Sequence, residues 1–87
     1  MQGVRWLQLK QHLLDRGWTW RGEALYAPHE TMWFQTSTAH PDLALFRNRM
    51  SIAVETTSAY VEQSVDQAEL HADLVSLVEA LDDVLEN

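Results

Sequence analysis

Trp18-Thr19-Trp20-Arg21-Gly22-Glu23-Ala24-Leu25-Tyr26-Ala27 is the stretch on which the fold turns. Two tryptophans alternate with Thr19 and Arg21, the period-2 pattern of a strand with one buried face. Gly22-Glu23 then supplies a two-residue hairpin turn of the II′ pattern, because glycine in first place tolerates a positive φ. Ala24 to Ala27 read as the return strand. Pro28-His29-Glu30 predicts a second turn, and Thr31 to Thr36 a third strand. Even-length loops carry side-chain parity from strand to strand. One face then gathers Trp18, Trp20, Leu25, Ala27, Met32 and Phe34, the expected core face. The other holds Thr19, Arg21, Ala24, Tyr26, Trp33 and Gln35.

Upstream, the spacing predicts a helix over about 4–16, with Trp6, Leu7, Leu9, Leu13 and Leu14 on one apolar arc. Gly17 stands where a helix C-terminus needs a left-handed residue. Lys10 falls inside the apolar arc and is expected to extend its ammonium outward, or to meet a carboxylate of the second half. Downstream, Ser37 to Asp42 read as a loop. Residues 43–49 fit two patterns: Leu43, Phe46 and Met50 suit a helix, whereas Leu43, Leu45 and Arg47 suit a strand. Short apolar runs are not resolved by periodicity; the strand is the favoured expectation, followed by Met50, Ile52 and Val54 alternating to about Glu55. The last helix is expected over about 67–85, with Asp66 as N-cap, Glu69 as capping-box partner and a Val65–Leu70 staple. Leu70, Leu74, Leu77, Leu81 and Val84 recur at helical spacing, and Val75, Val78 and Leu85 widen the stripe to about half the circumference. The expected class is α+β, one domain over residues 1–87. It has an N-terminal helix, an antiparallel meander of four or five strands and a long C-terminal amphipathic helix, with the helices on one sheet face.

Charge divides the chain. Residues 1–49 hold all six bases and four acids, while residues 50–87 hold nine acids and no base, for a net −7. A negative field of this size opposes non-specific binding to nucleic acid or anionic membrane. It also predicts self-repulsion that salt relieves. There is no cysteine, which removes disulfides, thiolate catalysis and cysteine-ligated metal. No stretch is apolar enough to span a membrane, no signal peptide is expected, and the expected location is the cytoplasm.

Reaction chemistry finds no foothold. Of the four histidines, His29, His40 and His71 lack ligand spacing, and His29-Glu30-Thr31-Met32-Trp33 begins like a zinc motif but ends in tryptophan. No nucleophile elbow occurs, and three isolated glycines form no phosphate cradle. No enzyme activity, cofactor or metal is therefore expected. Two surfaces stand out. Tyr26 and Trp33, with Arg21 beside them, share a sheet face that is otherwise polar, a composition suited to binding. The wide apolar stripe of the last helix suggests a second copy of the chain, with Leu74, Val78 and Leu85 near the contact.

The expected function is thus a small acidic cytoplasmic protein-interaction module, an adaptor, chaperone-like protein or inhibitor. A homodimer is expected, with another protein as a further partner. The alternative is a single-stranded nucleic-acid binder using Arg21, Tyr26, Trp33, Arg47 and Arg49. In element order alone, helix, meander, strand and acidic helix, the chain resembles small acidic secretion chaperones, which implies dimerisation and carries no motif.

Overall fold

A computed structural model describes residues 2–28 and 32–86. The chain runs α1 (Gln2–Asp15), β1 (Thr19–Arg21), β2 (Ala24–Tyr26), β3 (Trp33–Gln35), α2 (Leu43–Ser58), a 3-10 turn (Val61–Gln63) and α3 (Val65–Glu86). The class is α+β; the described residues form three α-helices and one three-stranded antiparallel sheet in the order β1-β2-β3.

The turn residues behave as their chemistry requires. Gly17 takes φ +90° two residues past the end of α1, and Gly22 takes φ +63° in the two-residue link between β1 and β2. The register pairs Trp20 with Leu25 and Leu25 with Phe34, and in the neighbouring row Thr19 with Tyr26 and Tyr26 with Trp33. The Ala27 N–H donates to the Met32 carbonyl, 2.8 Å away, so four residues lie between the ends of that hairpin and parity is kept. The expected turn residues His29 and Glu30, and Thr31 at the start of the third strand, lie outside the described residues.

Residues 43–58 overturn one expectation. They form a helix, so the favoured strand over 43–49 and its continuation to Glu55 are absent, and the sheet has three strands rather than four or five. The physical reason is visible in the burial. Leu43, Phe46, Met50, Ala53 and Thr57 point inward at alternating spacings of three and four, while Leu45 and Ile52, needed inside by a strand, are exposed. Asp42 caps the helix, its Oδ1 accepting from the Leu45 N–H at 3.1 Å. The buried Thr57 hydroxyl satisfies itself on the Ala53 carbonyl at 2.9 Å. The element after the meander is thus a helix, not the strand on which the likeness in element order was drawn.

The last helix also starts earlier than expected. It opens at Val65, so Asp66 lies inside the first turn instead of capping it. Val65 is 76% exposed, which removes the staple to Leu70. Leu70, Leu74, Leu77, Leu81 and Val84 do face the core.

That core joins the three helices to the sheet. Trp6, Leu9 and Leu13 come from α1, Trp18, Leu25 and Ala27 from the hairpin region, Phe46 and Met50 from α2, and the leucine row from α3. Ring contacts fasten the sheet on its inner side: Trp6 meets Trp20 edge-on at 5.7 Å, and Phe34 meets Phe46 at 6.4 Å. Three arginines of the first half reach across to α3. Arg5 pairs with Asp83 at 3.0 Å, Arg47 with Asp82 at 2.8 Å, and Arg16 with Asp73. The bond to Asp82, and then its charge, raise the Arg47 pKa above the usual arginine value. Arginines therefore do the bridging that the sequence suggested for Lys10.

Candidate interaction surface

The outer row of the sheet is built by alternation. Because Trp20, Leu25 and Phe34 turn inward, Thr19, Arg21, Trp33 and Gln35 are left exposed, with Ala24 and Tyr26 half-buried between them. Tyr26 and Trp33 are directly cross-strand, and their rings stack at 6.2 Å with planes 28° apart. Arg21 is a diagonal neighbour of Tyr26, and its guanidinium carbon lies 4.7 Å from the centre of the tyrosine ring. The three residues thus form one layered group, guanidinium on phenol and phenol beside indole. Trp33 remains 57% exposed. Such a surface offers a large rigid apolar area at low entropic cost, rimmed by a cation and two polar side chains.

The arginines weighed together with this face are elsewhere engaged. Arg47 is held by Asp82, and the Arg49 Nη1 donates to the Gln35 carbonyl at 2.8 Å. The residues expected at a dimer contact are separated. Leu74 is 0% exposed and belongs to the chain's own core, so a second copy cannot reach it in the folded state. Val78 is partly buried against that core, and Leu85 is 38% exposed near the end of α3.

One cavity went unnoticed in the sequence, because no spacing announces it. About 240 Å³ in volume, it lies where β3 leads into α2, among Ser37, His40, Asp42 and Arg49. A serine, a histidine and an aspartate together invite a nucleophilic reading, which the bonding answers. Ser37 Oγ accepts from the His40 backbone N–H at 3.2 Å, and Asp42 is occupied as a helix cap. The imidazole lies in neither bond, so the relay that a triad needs is not assembled. Among the described residues no three His, Asp or Glu side chains gather as a metal site, and no helix is long and apolar enough to cross a membrane.

Comparison with family models, curated proteins and solved structures finds none that matches this chain.

Proposed function

We propose that this chain is a small acidic protein-interaction module, an adaptor, chaperone-like protein or inhibitor, that engages a protein partner through Arg21, Tyr26 and Trp33. The observation that carries this reading is the exposed Trp33 stacked on Tyr26 beneath Arg21, on the sheet side away from the Trp20–Phe34 row. Exposed tryptophan, tyrosine and arginine in one patch are the residue types that dominate binding energy at protein contacts. The nucleic-acid reading draws on the same stacked rings. It is the less favoured because Arg47 and Arg49 are already bonded within the chain and the net charge is −7. A photo-reactive phenylalanine analogue at position 33, installed in the cells that make the protein, tests the reading. A discrete protein adduct is expected from position 33 and not from the exposed Gln63. Adducts to nucleic acid, or none at all, would replace or remove the proposal.

Self-association is the second part of the reading. Arg5 and Asp83 bring the start of α1 to the end of α3, and Leu7 and Leu85, on the same two helix ends, are exposed. Leu7 and Leu85, rather than Leu74, are where a second copy is proposed to pack. Sedimentation equilibrium at about 100 μM should show a dimer that Leu85→Asp dissociates. A single 10 kDa species in the parent protein would refute it.

A further inference from the structure

We propose that the furrow between α2 and α3 is a second docking surface, and that its occupant is a basic amphipathic helix of another protein. The two helices run antiparallel. Arg47 near the start of α2 meets Asp82 near the end of α3, while Ser58 and His71 line a common cavity at the opposite end. Between these points a groove of about 260 Å³ opens, lined by Ser51, Val54 and Glu55 of α2 and by Val75, Val78 and Glu79 of α3. Val54 and Val78 are rooted against the core, so the floor is apolar and supported from below. Its volume exceeds the roughly 150 Å³ that holds a benzene ring, yet falls short of the about 300 Å³ at which drug-sized pockets begin. Such a space suits one or two inserted aliphatic side chains rather than a free metabolite.

Charge selects the partner. The rim carboxylates Glu55 and Glu79 are exposed, and neither has an ion pair among the described residues. Neither α3 nor the stretch of α2 that lines the groove carries a lysine or arginine of its own, since none follows Arg49. The three arginines that reach α3 are spent on Asp73, Asp82 and Asp83. An apolar floor with a negative rim is complementary to a helix that presents leucine-like residues at i, i+3 or i+4 and lysine or arginine at the flanks. A second copy docking by this same groove would set Glu55 and Glu79 against their own counterparts, between molecules of net charge −7 each.

The test uses a fluorescent peptide of about 14 residues made of leucine and lysine alone, leucines at helical spacing, against the full chain. Saturable binding is expected, with backbone amide shifts centred on Val54, Val75 and Val78. A scrambled peptide of the same composition should bind at least about tenfold more weakly. Glu55→Lys with Glu79→Lys should lower affinity about tenfold without lowering Tm, and should create binding for a leucine–glutamate peptide. Reversal of Glu62 and Glu69, acids outside the groove, should leave most of the affinity. Equal losses from both reversals, shifts centred on Trp33, or no binding at about 100 μM would each overturn the proposal. So would concentration-dependent shifts at the three valines without peptide, which would make a second copy the occupant. Trp33→Ala leaves this binding unchanged, so the furrow and the sheet face are tested separately.

Discussion

Trp18 and Trp33 come from the same short sheet region and have opposite fates. Trp18 is 1% exposed, packed beside Phe34, and its indole N–H has no acceptor among the described residues. Truncating it removes a large buried ring and leaves a cavity, so Trp18→Ala should cost about 3–5 kcal/mol. Trp18→Phe should cost less than half of that, since it also deletes a buried donor that lacks a partner. Trp33→Ala, by contrast, gives up one stacked pair at the surface and should cost about 0.5–1 kcal/mol. Urea denaturation of the three variants checks the order; a Trp33→Ala loss as large as that of Trp18→Ala would mean that the outer face is structural. Trp20, on the core face by parity, is only partly buried, so the largest truncation cost belongs to Trp18 rather than to it.

At the scale of elements, α2 is where two readings of one stretch part company. As a strand, 50–54 would bury Ile52 between Met50 and Val54; as a helix, it leaves Ile52 in solvent. Ile52→Lys should therefore change stability by less than about 0.5 kcal/mol, whereas a core isoleucine would cost several. Asp42→Ala should cost about 1 kcal/mol through the lost cap on the Leu45 N–H. Thermal melts of the two variants are sufficient, and a large loss at Ile52 would restore the strand. The β1–β2 hairpin and the leucine row of α3 were legible because their periods are unambiguous and long enough, or are marked by a glycine turn. The 43–55 stretch was not, because Leu43 and Met50 are apolar in either period and only packing against α3 and Phe34 selects between them.

Across the whole molecule, the question is whether the charges hold the fold together or push it apart. The three ion pairs that tie arginines of the first half to α3 are partly solvent-exposed, and pairs of that kind add little to stability. A net of −7 on a body this small carries about 0.3 kcal/mol of repulsion per pair of excess charges, several kcal/mol in total, part of which the unfolded chain escapes by expansion. Repulsion should therefore prevail at low salt. Melting temperature should rise between about 20 and about 300 mM NaCl, over which the Debye length shrinks from about 20 Å to about 6 Å. A fall over the same range would mean that Arg5, Arg16 and Arg47 outweigh the unpaired acids.

The sequence by itself determined the α+β class, the first and last helices and which face of the hairpin each tryptophan takes. Those follow from periodicity and from two glycines at left-handed positions, and both are local. It also determined the acidic character of everything after Arg49. Only the tertiary structure decided that 43–58 is a helix, that Leu74 is sealed inside, and that Val54, Val75 and Val78 line a groove with Glu55 and Glu79 at its edge. Residues so far apart in the chain share a surface only because α2 folds back on α3. No spacing along a single helix encodes that juxtaposition.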